Sequence, residues 1–95
     1  MADKPFITII LPVKNAERTI DTTIQYLLNV EYPRDKMEII FADGGSTDKT
    51  IDIINKWQEK YGFIKIVNVP DSKSPGHARN AAMKVSKGEY IFFTD

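Results

Sequence analysis

An acid, two glycines and a hydroxyl follow one another at Asp43-Gly44-Gly45-Ser46, directly behind an apolar run from Met37 to Ala42. A run of that kind reads as a buried strand, so Asp43 stands at its carboxyl end, with a helix opening at Ser46 or Thr47. In open α/β sheets that rim is where ligands bind. Gly44 and Gly45 allow a sharp turn and leave no side chain to block a ligand's approach. An ionised carboxylate only accepts hydrogen bonds. Asp43 therefore suits a nucleobase with a ring N–H, which uracil and guanine have and cytosine and adenine lack. A lost, desolvated hydrogen bond costs about 1–3 kcal/mol, enough to discriminate. The plain structural alternative is that Asp43 bonds its own turn or caps the helix behind it.

Other ligand-competent groups recur at strand ends. Pro12-Val13-Lys14-Asn15 follows the first apolar run and Thr94-Asp95 the last. Asp95 can ligate Mg²⁺ or Mn²⁺ on a diphosphate, since hard cations take carboxylate oxygens and keep waters and substrate phosphates as the rest. A solvated chain end is the bland reading of the same acid. Arg79, beside Asn80, carries a fixed fork of donors that can reach a diphosphate or brace Asp43; a surface ion pair explains a lone arginine equally well. His77 reads as solvent-facing, Trp57 and Tyr61 as core, and Lys49, Lys56 and Lys60 as a solvated helix face. The first turn is not G-x-G-x-x-G and no G-x-x-x-x-G-K-[ST] loop is present, which argues against a dinucleotide oxidoreductase and a P-loop NTPase.

These groups need a scaffold, and the hydrophobic pattern supplies one. Residues 6–11 are a nearly continuous β-branched run, the mark of a parallel strand buried on both faces, with Pro12 ending it. Asn15 then caps a helix over 16–29, with Ile20, Ile24, Leu27 and Leu28 at helical spacing. Strand two spans 37–42. Helix two carries Asp48 in its first turn and Ile51, Ile54, Trp57 and Tyr61 as its apolar stripe, and Gly62 closes it. Strand three is 64–67. Ser74-Pro75 starts helix three, whose small-residue face is Ala78, Ala81, Ala82 and Val85; Gly88 stops it. Residues 89–94 form strand four. The order β-α-β-α-β-α-β with short connections predicts a parallel, Rossmann-like three-layer α/β/α sheet. Its ligand crevice should lie where chain order reverses, between strands one and four.

Ninety-five residues make one small domain or part of a larger one. Hydrophobic residues at 42% and charged residues at 27% are ordinary for a globular chain, which sets aside disorder, collagen and coiled coil. Thirteen basic and thirteen acidic residues cancel, so bulk charge makes no case for nucleic acid. There is no cysteine for a disulfide framework and only one histidine. No apolar run approaches the roughly 18 residues that span a bilayer, and Met-Ala-Asp-Lys-Pro lacks the apolar core expected of a signal peptide. A cytoplasmic location is the default. Ending on the acid of an apolar strand suggests an incomplete domain, whose exposed strand-four edge should self-associate.

Four segments taken together, residues 9–15, 39–48, 76–82 and 87–95, resemble family 2 glycosyltransferases of the GT-A fold, in order and spacing over almost the whole chain. The resemblance implies a UDP- or GDP-linked sugar donor across the first strand ends. Pro12, Val13 and Asn15 would pack on base and ribose, and Asp43, Gly44 and Gly45 would meet the base. Arg79 and Asn80 would line the pocket from helix three. Asp95 matches the first acid of the D-x-D motif that holds Mn²⁺ or Mg²⁺ on the diphosphate. It also implies inverting transfer to a hydroxyl acceptor on a glycan, lipid or other molecule, with the general base beyond residue 95. Residues 1–95 would then be the nucleotide-binding part, inactive alone, with any membrane helix of the full protein at the cytoplasmic face. Two positions depart from the family pattern: Gly44 stands where many members have a second acid, and Lys14 where an aromatic often precedes the asparagine.

Three other classes compete. A non-catalytic nucleotide-sugar binding module would lack a second acid and a distant carboxylate past Asp95. A nucleotidyltransferase would carry a glycine-rich basic loop after strand one, which Pro-Val-Lys-Asn is not. A receiver-type signalling domain needs acids at strand ends one and three, whereas here they sit at two and four.

Overall fold

In the computed structural model, residues 4–70 and 74–94 are described. The strands are β1 (Ile7–Val13), β2 (Met37–Asp43), β3 (Ile64–Asn68) and β4 (Tyr90–Phe93); the helices are α1 (Ile20–Leu28), α2 (Thr50–Lys60) and α3 (Pro75–Val85). All pairings are parallel, in the order β3-β2-β1-β4. Chain order thus reverses between β1 and β4, as the alternating pattern leads one to expect. β2 is buried along its whole length, and β1 as far as Leu11.

The period of two along the strands sorts the core into two layers. Ile7, Ile9, Leu11, Met37, Ile39 and Phe41 face α1 and α2, meeting Ile20, Ile24, Leu27 and Ile54. Ile10, Ile40 and Ala42 face α3 through Ala78 and Ala82. Two alanines let α3 lie close against the sheet, whereas Val85, expected on that face, is exposed at the helix end. The Trp57 indole N–H donates to Asp21 at 2.7 Å and ties α2 to α1.

Three expected boundaries move, the simplest being helix two, which opens at Thr50 and not at Ser46 or Thr47, so that Asp48 precedes its first turn. Pro12 does not end the first strand, which continues with Pro12 opposite Ala42 and Val13 opposite Asp43. The carbonyl of Val13 accepts from Gly44 on the β2 side, and that of Ile10 from Thr94 on the β4 side. By alternation the proline nitrogen faces β4, where it stops the ladder without touching the β1–β2 pairing. Helix one starts four residues late. Asn15 adopts φ 50°, a left-handed conformation, and Ala16 begins a turn that leads into Ile20.

A buried acid went unread in the sequence. Glu38, 1% exposed, lies on the α3 side of β2 near the amino ends of the strands. Its carboxylate accepts from the Thr8 hydroxyl at 2.7 Å, the Lys65 ammonium at 2.8 Å and the Lys87 N–H at 2.6 Å. The Gly88 N–H in turn donates to Thr8 Oγ1 at 2.9 Å. Burial pushes the Glu38 carboxyl up, but the bonds from Lys65, Lys87 and Thr8 outweigh it and hold it below its ordinary 4.5. On the outer edge Tyr90, Phe92 and Phe93 are 58%, 54% and 47% exposed.

A depressed folded value means stability present above the unfolded value and lost as pH falls through the folded one. Wild type is therefore expected to melt above Glu38→Gln at neutral pH. The gap should close as pH drops below about 4, near the free glutamate value. Thermal melts of both across pH 2–7 check this; a gap that persists at pH 2 would refute it.

Candidate functional site

The carboxyl ends of β1 and β2 are adjacent, and the loops that leave them are bolted together. Asp43, 2% exposed, turns its carboxylate into its own loop. Oδ2 accepts from the Gly45 N–H at 3.0 Å and the Ser46 N–H at 2.9 Å, and Oδ1 from the Ser46 hydroxyl at 2.5 Å. This is the turn-bonding alternative, and it dominates the geometry of the residue. Four lone-pair sites less three bonds leave Asp43 one acceptor site, on Oδ1, without a partner among the described residues.

Ser46 carries the connection onward. Its Oγ accepts from the Asn15 N–H at 2.8 Å, while Asn15 Oδ1 accepts from the Thr47 N–H at 2.8 Å. The asparagine side chain therefore holds the β2–α2 loop instead of its own helix. Asparagine is among the few non-glycine residues that tolerate the left-handed region, so residue type and conformation agree. Further along, Ala16 donates to Thr50 Oγ1 at 2.7 Å and Glu17 to Asp48 Oδ2 at 3.2 Å. Asp48 Oδ1 accepts from the Thr50 N–H at 2.9 Å and from its hydroxyl at 2.5 Å. Asp48 thus sits two residues ahead of the helix and caps its first N–H from outside. Partial desolvation raises the Asp48 carboxyl, but the bonds from Thr50 and Glu17 outweigh it and set it below its ordinary range.

The glycines do what a tight rim requires. Gly44 is buried and donates to Val13 O at 2.9 Å. Gly45 has φ +101°, and a methyl there would stand 3.0 Å from the carbonyl oxygen of Pro70, so the turn backs directly onto the loop after β3. Pro12 and Val13 are half-buried at the end of β1. Arg79, half-buried on α3, places its guanidinium 5.9 Å from the Phe93 ring centroid, at the rim end of β4. Asn80 and His77 are exposed on the same helix. Asp95 lies outside the described residues. Among those described, no cluster of three or more His, Asp or Glu could hold a metal ion.

The structure therefore brings Pro12, Val13, Asn15, Asp43, Gly44 and Gly45 together in one braced rim and sets Arg79 at its β4 side. Sequence reading missed Ser46, Thr47, Asp48 and Thr50 as its bracing. The signal was present in a run of short polar residues just before a helix, each a natural partner for loop N–H groups.

The profile described as Glycosyl transferase family 2 matches residues 8–95. The chain belongs to glycosyltransferase family 2. A poly(ribitol-phosphate) beta-glucosyltransferase of Bacillus spizizenii is 40% identical over 90 residues, 94% of this chain and 14% of that protein. Two solved structures superpose with a TM-score of 0.86 over 94% of this chain and 26% of theirs. One is TarS 1-349 of S. aureus in complex with UDP-GlcNAc, 31% identical; the other is mannosyltransferase PcManGT of Pyrobaculum calidifontis with GDP-Man and Mn²⁺, 28% identical. The sheet with its three helices is thus the Rossmann-like α/β arrangement of the GT-A glycosyltransferases. The chain spans between a seventh and about a quarter of the length of these relatives.

Removing the Asp43 carboxylate strips the partners from two turn N–H groups and a hydroxyl in a poorly hydrated place. Asp43→Ala should cost about 1–3 kcal/mol in a denaturant titration. It should also lift the exchange protection of the Gly45 and Ser46 amides. Unchanged protection at both amides would show that the turn holds without the acid.

Proposed function

We propose that this chain forms the donor-nucleotide end of a glycosyltransferase acting on a UDP- or GDP-linked sugar. The observation that carries the reading is the braced rim over the carboxyl ends of β1 and β2, next to the β1–β4 reversal point, in a family whose solved members hold UDP-GlcNAc and GDP-Man. Fixed loops cost a ligand little ordering entropy on binding.

In this reading Pro12 and Val13 form the wall for base and ribose. The Gly44–Gly45 backbone admits the base edge, and a ring N–H of uracil or guanine takes the remaining acceptor site on Asp43 Oδ1. Asn15 acts by holding the loop that carries Asp43, and Arg79 and Asn80 border the pocket from α3. Asp95 would hold Mn²⁺ or Mg²⁺, whose charge would offset that of the leaving diphosphate.

Transfer itself is an in-line displacement. The acceptor hydroxyl oxygen, on a glycan, lipid or other molecule, bonds to the sugar C1 on the face opposite the diphosphate. The C1–O bond to the diphosphate breaks with inversion, and the hydroxyl proton passes to a carboxylate beyond residue 95. Residues 1–95 alone bind donor without turning it over, and the donor is taken from the cytoplasm. No described helix is long and apolar enough to cross a membrane.

Calorimetric titration with UDP, GDP, CDP and ADP, each with and without Mn²⁺, tests the proposal. UDP or GDP should bind in a metal-dependent way, at least tenfold tighter than CDP and ADP. Asp95→Ala should abolish the metal dependence while leaving the melting temperature unchanged. Equal binding of all four nucleotides would overturn the role given to Asp43, and metal-independent binding that given to Asp95.

A further inference from the structure

Among the described residues β4 is held on one side only. Its ladder with β1 runs over four residues, from Ile7 opposite Tyr90 to Ile10 opposite Phe93. Of its side chains Ile91 packs against the α3-side core, while Tyr90, Phe92 and Phe93 are about half exposed. Tyr90 and Phe92 point to one face, Ile91 and Phe93 to the other, and all four are apolar. In a strand without a polar face, a one-residue slip exchanges the two sides at small cost.

What distinguishes one register from the next lies just before the strand. The Lys87 N–H donates to Glu38 Oε2 at 2.6 Å, and the Gly88 N–H to Thr8 Oγ1 at 2.9 Å. The Thr8 hydroxyl passes its own proton to the same Glu38 oxygen at 2.7 Å. Gly88 also fits where no other residue type does. A methyl there would lie 2.5 Å from both Thr8 N and Thr8 Oγ1, and 2.8 Å from the Tyr90 carbonyl oxygen. A slip by one residue would bring Lys87 or Glu89 against Thr8, and neither side chain has room.

We infer that Glu38, Thr8 and Gly88 form a register key for β4, with Glu38 a positioning residue for the donor site at the far end of the strand. In the keyed register Thr94 donates to the Ile10 carbonyl at 3.1 Å, which sets where the chain leaves the rim towards Asp95. One residue of slip moves every group about 3.3 Å along the strand and turns it to the opposite face. Lys65 approaches Glu38 Oε1 at 2.8 Å from β3 and balances its charge without touching β4, so charge and register can be separated. The consequence for ligand rests on the donor-site reading above; the register does not.

The test uses isotope-labelled full chain and four variants: Glu38→Ala, Glu38→Gln, Gly88→Ala and Lys65→Met. Cross-strand NMR contacts of Ile9 with Phe92 report the β4 register, and those of Ile9 with Ile39 report the rest of the sheet. Glu38→Ala and Gly88→Ala should lose the first set and keep the second. Glu38→Gln, whose amide can still accept from Lys87 and meet Thr8, should keep both. Lys65→Met should keep both with a lower melting temperature. Affinity for UDP with Mn²⁺ should fall at least tenfold in the first pair and stay within twofold in the second. Native Ile9–Phe92 contacts in Gly88→Ala and Glu38→Ala would overturn the inference, as would their loss in Lys65→Met. If Glu38→Ala does not fold, Gly88→Ala and rescue by Glu38→Gln decide it. A wild-type chain that shows this register pattern but binds neither UDP nor GDP would sink the donor-site reading and leave the key standing.

Discussion

β2 carries an acid near each end, and both are out of water: Glu38 is 1% exposed and Asp43 2%. A buried carboxylate is tolerable only when its oxygens are hydrogen-bonded. Each acid meets that demand by drawing on backbone N–H groups of a connecting segment. Glu38 takes Lys87 and, through Thr8, Gly88; Asp43 takes Gly45 and Ser46. The central strand thereby pins the entry to β4 at one end and the β2–α2 turn at the other. Both ends of the sheet are fixed by the same requirement.

The rim follows from the second of these anchors. With the Asp43 turn closed, Ser46 is placed to accept from Asn15, and Asn15 to accept from Thr47. Two loops that are far apart in sequence become one surface. Little of it depends on long side chains, which would give up about 1.5–2 kcal/mol each in rotamer entropy when held still. Short polar residues and glycine give a shaped, inflexible edge instead. Such an edge is held in place without charged clusters.

The relatives are much longer than this chain, which spans 14% of one and 26% of two others. The described residues hold a braced rim at the carboxyl ends of β1 and β2, and among them β4 has no second strand partner and leaves Tyr90, Phe92 and Phe93 about half exposed. Such an edge carries unpaired backbone donors and acceptors as well as apolar surface. It stands beside the very reversal point where the donor is proposed to lie, so whatever lines β4 also borders the site.

The sequence by itself determined the layer order, the parallel sheet, the reversal point between β1 and β4, and the rim as the place to look. Those follow from local information: runs of β-branched residues, helical spacing and turn residues act within a few positions of themselves. The motif order also carried the family. What only the tertiary structure decided is which partner each polar group takes, in several cases one thirty or more residues away. Asn15 reads locally as a helix cap, yet its side chain serves a loop thirty-two positions on. Asp43 reads locally as either a free acceptor or a bond to its own turn, and the fold gives three of its four acceptor sites to the turn. Glu38 reads as one polar residue in an apolar strand, and Gly88 as a helix stop. Their meeting through Thr8 exists only once β1 lies between β2 and β4, because hydrogen bonds to a buried group are chosen by proximity in space.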